Sequence, residues 1–241
     1  MTLSVAVITC TIGRKELEKA IESVQTQTRG AKHYVFVHGD EYKQNANKVL
    51  SKYRDVVPVY LPYNNHNGGY GMAPVYALAP YVVREDVVCF LDDDNWYEPT
   101  HIEKTVGLIE EHDLGWAYSL RRIVDEDETF LLEDNCESLG MHPNATGHYL
   151  VDNSCFVVRA EHAKRYGHAW YVKIISDRSF QKALMDARLS CGTTGEHSVN
   201  YRITTDTPVS MPVSIFEQNN KFMEQKFNGS FPWKQRQIFK Y

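Results

Sequence analysis

Residues 86–99 of this 241-residue chain read DVVCFLDDDNWYEP, and this stretch decides which class of fold we expect. The segment 86–91 is apolar and rich in β-branched residues, which is typical of a strand buried on both faces of a sheet. Three adjacent carboxylates, Asp92, Asp93 and Asp94, follow at its end. Parallel sheets bind ligands beyond the carboxyl ends of their strands. The stretch therefore predicts an α/β fold with a polar site at one edge of the sheet.

The residues before this stretch alternate between strand and helix patterns. Apolar runs predict strands at 3–9, 33–38 and 56–61. Apolar residues at helical spacing predict a helix over 17–24. Further helices are predicted over 41–53, which is a polar stretch, and over 74–84. Pro80 is expected to kink or shorten the last of these helices. Thr100 and Glu103 have capping-box spacing before a helix that runs to about His112. The first 112 residues therefore predict a mostly parallel central sheet flanked by helices.

The pattern changes after residue 112, where a smaller antiparallel part is expected. Segments 116–124 and 129–133, joined by an acidic turn, predict a hairpin, and 134–148 reads as a loop. Further strands are predicted at 154–158 and 199–205, and further helices at 160–166 and 178–188. The tail from Thr207 is rich in proline and aromatic residues and is expected to wrap the protein or form a lid. We expect one domain over 1–241, divided into segments 1–112, 113–206 and 207–241.

Composition narrows the class of protein and its partners. The chain has 26 Lys and Arg against 31 Asp and Glu, a formal net charge of −5 and 43% hydrophobic residues. This balance indicates a folded globular protein and disfavours nucleic acid as the main partner, because phosphates are bound by clustered basic residues. No apolar run approaches the roughly 18 residues of a membrane span, and no signal peptide is expected. Five scattered cysteines predict reduced thiols and a cytoplasmic location.

The acidic triplet is the strongest functional signal in the residues themselves. Three adjacent carboxylates repel one another, and Mn²⁺ or Mg²⁺ would supply the missing positive charge while taking further ligands from substrate phosphates. A solvated turn whose Asp side chains cap the next helix is the alternative. Two other polar groups follow predicted strands: Thr9, Thr11 and Arg14 after the first, and Asp40 after the second.

The order VITCTIGR, VHGD, NGGYG and FLDDDNWYEP resembles the nucleotide-sugar-binding half of GT-A glycosyltransferases of the family 2 type. The resemblance covers roughly residues 3–112 and is loose beyond them. It implies a Rossmann-like GT-A fold and a metal-dependent, inverting transfer of a sugar from a nucleotide diphosphate to an acceptor hydroxyl. It favours UDP as the carrier. The acceptor would be a glycan, a lipid or a protein.

The resemblance also implies roles for matching residues of the donor half. Asp40 would accept hydrogen bonds from the uracil or the ribose. Thr9, Thr11 and Arg14 would surround the base and the diphosphate. Gly69, in the Gly-rich segment, would also lie at the nucleotide-sugar.

Within the triplet, the resemblance assigns different roles to neighbouring carboxylates. Asp92 would approach the ribose and contribute to the metal site, and Asp94 would bind the metal that bridges the diphosphate. Asp93 is the variable middle position, although a register in which Asp93 and Asp94 form the functional pair stays open. His197 is a candidate third metal ligand. Trp96 would either stack on a sugar or pack in the core.

An inverting transfer also needs a base that deprotonates the acceptor hydroxyl. The resemblance implies an acidic residue at the start of a helix in the second half, which selects Asp177. Capping of that helix by Ser176 and Asp177 is the structural alternative, and Asp152 and Asp134 are competing bases.

Three other functions share some of these features. A sugar-phosphate nucleotidyltransferase, a phosphatase with an Asp nucleophile, and a noncatalytic nucleotide-sugar-binding module are the alternatives.

Overall fold

The computed structural model describes residues 2–65, 71–135, 150–172, 175–204 and 211–240. Gly69 therefore lies outside the described residues, as does most of the predicted loop at 134–148. Within the described residues, no helix is both long and apolar enough to cross a membrane. Four of the five cysteines are described and are free thiols, namely Cys10, Cys89, Cys155 and Cys191. The cytoplasmic location stays a prediction.

The first 112 residues form the alternating α/β part that the sequence predicts. Its strands are β1 (Val5–Thr11), β2 (Lys32–His38), β3 (Val56–Leu61), β4 (Val87–Phe90) and β5 (Trp96–Tyr97). Its helices are α1 (Leu17–Gln25), α2 (Lys43–Leu50), α3 (Ala73–Leu78) and α4 (His101–His112). Strand β1 pairs in parallel with β2 and β4, and β2 pairs in parallel with β3. The predicted α/β class is confirmed.

Of two local predictions for this part, one is confirmed and one is wrong. Helix α3 ends at Leu78 and continues as a 3-10 turn containing Pro80, so the predicted shortening is confirmed. The capping box at α4 is wrong, because the Thr100 side chain makes no capping hydrogen bond. The Glu103 carboxylate instead accepts a hydrogen bond of 2.7 Å from the hydroxyl of Thr28.

The remaining residues add five strands and three helices within the described residues. The strands are β6 (Trp116–Val124), β7 (Phe130–Glu133), β8 (Phe156–Arg159), β9 (Cys191–Arg202) and β10 (Gln237–Phe239). The helices are α5 (Ala160–Tyr166), α6 (Ser176–Asp186) and α7 (Val213–Phe227). The predicted β6/β7 hairpin is confirmed. Strand β9 begins eight residues before the predicted strand at 199–205, and neither α7 nor β10 was predicted from the tail.

All of these strands belong to one sheet, in the order β10-β9-β6-β8-β4-β1-β2-β3, with β5 beside β9 and β7 beside β6. Strand β8 lies between β4 and β6 and is antiparallel to both. Because antiparallel neighbours run in opposite directions, the start of β8 lies beside the end of β4. Residues from the second half of the chain therefore lie beside the carboxyl ends of the strands of the first half.

Aromatic side chains from both halves meet in the core under this edge. Trp170 stacks on Phe180 with 4.5 Å between ring centroids, and both contact Phe90 at the end of β4. A side chain at Gly167 would place its Cβ 3.0 Å from the carbonyl oxygen of Ala77. Glycine at 167 therefore lets the turn that carries Trp170 approach α3 closely.

Candidate active site

The end of β1 and the end of β4 meet through Thr11 and Asp93. The Thr11 hydroxyl donates to Asp93 Oδ2 at 2.6 Å and accepts the backbone N–H of Gly13 at 2.9 Å. Gly13 has φ +80°, and a Cβ there would lie 2.8 Å from the backbone nitrogen of Ala46. The loop after β1 therefore requires glycine at this position to reach the acidic triplet.

Arg14 supplies positive charge directly beside the triplet. Its guanidinium donates to Asp94 Oδ2 at 2.7 Å and lies 3.7 Å from Asp93 Oδ1. The structure thus brings Thr11, Arg14 and the triplet together. Their roles toward a donor stay predictions.

Asp92 is held by three residues that the sequence does not mark as site residues. The hydroxyl of Tyr76 donates to Asp92 Oδ1 at 2.9 Å, and the amide of Asn153 donates to the same oxygen at 2.7 Å. The Asp92 backbone N–H donates to the Ser154 hydroxyl at 3.3 Å. Tyr76 comes from α3, while Asn153 and Ser154 come from the turn before β8.

Burial makes ionisation of the triplet costly. It raises the pKa of Asp92 to about 8, and the charges of Asp94 and Asp152 act in the same direction. It raises the pKa of Asp93 to about 7, with Asp94 adding to the shift and Arg14 opposing it. The pKa of Asp94 is also raised by burial, against the opposing charge of Arg14. The positive charge beside the triplet is therefore insufficient for three carboxylates, and a bound cation would correct the deficit.

Asp177 lies in the first turn of α6 and is partly buried. Burial and the charge of Asp152 raise the pKa of Asp177 to about 6, although its Oδ1 accepts the backbone N–H of Arg178 at 2.8 Å. The N-cap residue of α6 is Ile175, in the left-handed region with φ 59°. Ser176 and Asp177 therefore do not occupy the N-cap position of the structural alternative.

The two competing bases are engaged by one buried guanidinium. Arg121 donates through Nε to Asp134 Oδ2 at 2.8 Å and through its terminal nitrogen to Asp152 Oδ2. The rings of Tyr201 and Phe216 lie 4.5 and 5.4 Å from the guanidinium carbon. Both competing carboxylates are therefore held in ion pairs with Arg121, and Asp177 stays the candidate base.

Two residues that were predicted to bind the nucleotide-sugar, Thr9 and Asp40, have different environments. Thr9 is fully buried, and its hydroxyl lies 2.9 Å from Nε2 of His33. The role of Thr9 toward a donor stays a prediction. Asp40 is exposed at the start of a 3-10 turn directly after β2, at the carboxyl end of that strand.

His197 does not join the triplet. Among the described residues, no three His, Cys, Asp or Glu side chains are grouped to hold a metal, and the set Asp92, Asp94 and His197 stays a prediction. Arg202, not His197, is the β9 residue at Asp94, because its Nε donates to the Asp94 carbonyl at 3.3 Å. His197 lies five residues earlier, roughly 16 Å along an extended strand. Its Nδ1 is 3.6 Å from Glu133 Oε1, and burial lowers its pKa to about 4.

Trp96 is covered by cations. Arg202 and Lys19 lie 5.1 and 5.2 Å from the ring centroid, and Glu128 accepts hydrogen bonds from both cations. Of the two interpretations of Trp96, this arrangement favours packing over stacking on a sugar.

The α/β sheet with an acidic triplet at the end of β4 defines the GT-A class of glycosyltransferases, and the comparisons with known proteins agree. The model of the family described as glycosyl transferase family 2 matches residues 4–167, so the chain belongs to glycosyl transferase family 2. A protein of Haemophilus influenzae described as uncharacterized is 38% identical over 99 residues, which cover 34% of this chain and 67% of that protein.

Solved structures of TarS from S. aureus share the fold. The structure of TarS 1–349 aligns with a TM-score of 0.62 and 14% identity, covering 83% of this chain and 60% of that chain. The complex of TarS 1–349 with UDP-GlcNAc aligns with a TM-score of 0.64 and 14% identity, covering 95% of this chain and 67% of that chain. This chain therefore spans about three fifths to two thirds of these TarS chains. At this identity, the likeness establishes the GT-A fold.

Proposed function

We propose that this protein is a metal-dependent, inverting glycosyltransferase that moves a sugar from a UDP-sugar to an acceptor hydroxyl. One observation carries the proposal: Asp92 of the acidic triplet accepts a hydrogen bond from Asn153, and the neighbouring Asp152 raises the pKa of both Asp92 and Asp177. This common neighbour supports a donor-binding group and a base that serve one site. The TarS complexes with UDP and UDP-GlcNAc support UDP as the carrier.

In this proposal the donor occupies the carboxyl edge of the sheet. Asp40 recognises the uracil or the ribose, Thr11 orders the loop around the diphosphate, and Asp92 accepts hydrogen bonds from the ribose. Arg14 is 37% exposed in its side chain and shares its charge between the triplet and the diphosphate. Gly69 keeps its predicted place beside the nucleotide-sugar.

The residues present suit Mn²⁺ or Mg²⁺. The Asp94 side chain is partly exposed, and Arg14 donates to its Oδ2, so the carboxylate can still offer an oxygen to a cation while the diphosphate supplies further ligands. When bound, the cation supplies positive charge to the leaving diphosphate. Thr11 meanwhile holds Asp93 by its hydrogen bond of 2.6 Å, and the Asp94 side chain is more exposed than that of Asp93, at 24% against 9%.

Asp177 supplies the base. Its carboxylate takes the proton of the acceptor hydroxyl as that oxygen attacks the anomeric carbon, and the raised pKa makes it a stronger proton acceptor than an exposed Asp. Segment 1–112 then serves the donor and segment 113–206 the acceptor, with 207–241 as the C-terminal covering segment.

Calorimetry of UDP binding tests the donor and metal sites. Mn²⁺ is expected to strengthen UDP binding to the wild type at least about tenfold, and Asp94→Ala to abolish that gain. Asp113→Ala is the matched control, because its side chain is 95% exposed at the opposite end of α4. Equal Mn²⁺ dependence in Asp94→Ala and the control would reject Asp94 as the ligand.

UDP release from a panel of UDP-sugars, with and without candidate acceptors, tests the reaction. Asp177→Asn should lower kcat about 100-fold or more, and Asp186→Asn at the other end of α6 should leave it unchanged. Tight UDP-sugar binding without release would indicate a noncatalytic module. Release of pyrophosphate from UTP and a sugar phosphate would indicate a nucleotidyltransferase.

A further inference from the structure

The two oxygens of Asp92 are used unequally. Tyr76 and Asn153 both donate to Oδ1, at 2.9 and 2.7 Å. Within the part of the chain that the structure describes, no hydrogen bond is made to Oδ2. Rotation of the carboxylate would break both bonds to Oδ1 at once. One oxygen is therefore fixed and the other is left to accept a hydrogen bond from elsewhere.

We propose that Tyr76 and Asn153 are positioning residues that fix Asp92 so that Oδ2 accepts hydrogen bonds from the ribose hydroxyls of the donor. The inference rests on the proposed function, because it takes the ribose of a UDP-sugar as the ligand of Asp92. A carboxylate oxygen is a strong acceptor for hydroxyl groups, and its selectivity for them depends on its direction being fixed before binding.

Tyr76 is suited to this role because its ring is tightly packed. It is fully buried on α3, with its centroid 4.9 Å from that of Phe90 and 5.4 Å from that of Trp170. Gly167 permits the contact with Trp170, since its turn approaches the carbonyl oxygen of Ala77. Packing of the ring therefore places the hydroxyl of Tyr76 at Asp92.

Asn153 is held through the second half of the chain. The turn Asn153–Cys155 is capped by Asp152, whose Oδ1 accepts the backbone N–H of Ser154 at 2.9 Å, while its Oδ2 binds Arg121. The Ser154 hydroxyl accepts from the backbone of Asp92 and from the side-chain amide of Asn95 at 3.2 Å. Asn153 is 5% exposed, so this turn presents its amide to Asp92 in one arrangement.

The test compares binding of UDP with binding of its 2′,3′-dideoxy analogue, in the presence of Mn²⁺, by calorimetry. The wild type should prefer UDP by about tenfold or more, since a bond to a charged acceptor is lost with the analogue. Tyr76→Phe and Asn153→Ala should each reduce that preference to about twofold or less. Tyr34→Phe is the matched control, because it removes a hydroxyl that donates to another carboxylate, Glu85, at 3.2 Å.

The preference ratio separates positioning from structural damage, because a merely destabilised protein would lose affinity for both ligands equally. Thermal unfolding of each variant verifies folding, and Tyr76→Phe retains the packed ring. An unchanged ratio in both variants, or no preference in the wild type despite UDP binding, overturns this inference and leaves the proposed function standing. If the wild type binds neither ligand, the proposed function fails and the inference falls with it.

Discussion

Asp177 can accept a proton only when it is ionised, and its burial sets the pH at which this occurs. Because the pKa of Asp177 is raised to about 6, we expect the transfer rate to rise with pH and reach half its maximum near pH 6. Initial rates of UDP release between pH 4.5 and 8 measure this midpoint. Asp152→Asn should move the midpoint to lower pH, because it removes the negative charge that disfavours ionisation of Asp177. A midpoint near pH 4 in the wild type would contradict the assignment.

Ionisation of Asp92 should lower the unfolding free energy of the ligand-free protein as pH rises. Its folded-state pKa of about 8 lies above the ordinary value of 3.8, so folding is disfavoured progressively as pH rises through that interval. Asp92→Asn keeps an Oδ1 for Tyr76 and Asn153 but cannot ionise. We expect the variant to exceed the wild type in unfolding free energy by several kcal/mol at pH 8 and by little at pH 4, measured by urea denaturation. A constant difference across this range would contradict the burial cost.

Several site residues could be predicted from local sequence, and others could not. Asp92, Asp93 and Asp94 follow a recognisable buried strand, so their place at the edge is implied by the pattern. No sequence pattern identifies Tyr76 or Asn153 as a site residue, since each looks like an ordinary core or turn residue. Their contact with Asp92 arises from the antiparallel placement of β8 beside β4 and from the packing of α3.

At the scale of elements, α7 is attached by few side chains. Its buried residues are Phe216 and Met223, and Phe216 also covers the guanidinium of Arg121. Phe216→Ala should lower the unfolding free energy by about 3 kcal/mol, because it opens a cavity and uncovers the buried ion pairs. Phe222→Ala, on the same helix and 46% exposed, is the control and should change it by less than about 1 kcal/mol. Urea denaturation measures both, and equal effects would contradict this account of α7.

The elements that the sequence failed to predict share a physical cause. Helix α7 has only two buried residues, seven positions apart, so its apolar periodicity is weak. The first half of β9 contains CGTTGE, a composition typical of turns, yet β6 and β10 pair with it on both sides. Tertiary pairing therefore decides these elements, whereas β1, β2 and β4 carry continuous apolar runs that are readable alone.

At the scale of the whole molecule, the shared sheet makes the two halves depend on each other. Strand β4 needs β8 at its edge, and β5 pairs with β9. We therefore expect a fragment of residues 1–112 not to fold alone, because it would expose the β4 edge and the aromatic core beneath it. Circular dichroism and amide dispersion in NMR spectra of the fragment measure this.

The intact chain is the control for the fragment and should unfold in a single transition. A fragment with native-like spectra would show that residues 1–112 form an independent domain. The same test bears on the prediction of one domain over 1–241.

The left-handed backbone conformation of Ile175 affects how readily the first turn of α6 opens. A β-branched residue in the left-handed region is disfavoured by about 1–2 kcal/mol, and Ile175 holds that conformation directly before the helix that carries Asp177. The first turn of α6 is therefore expected to open more readily than its centre. Within α6, hydrogen–deuterium exchange would be fastest at the amides nearest Asp177. An acceptor substrate that binds there would slow this exchange, so the measurement could screen candidate substrates without any turnover.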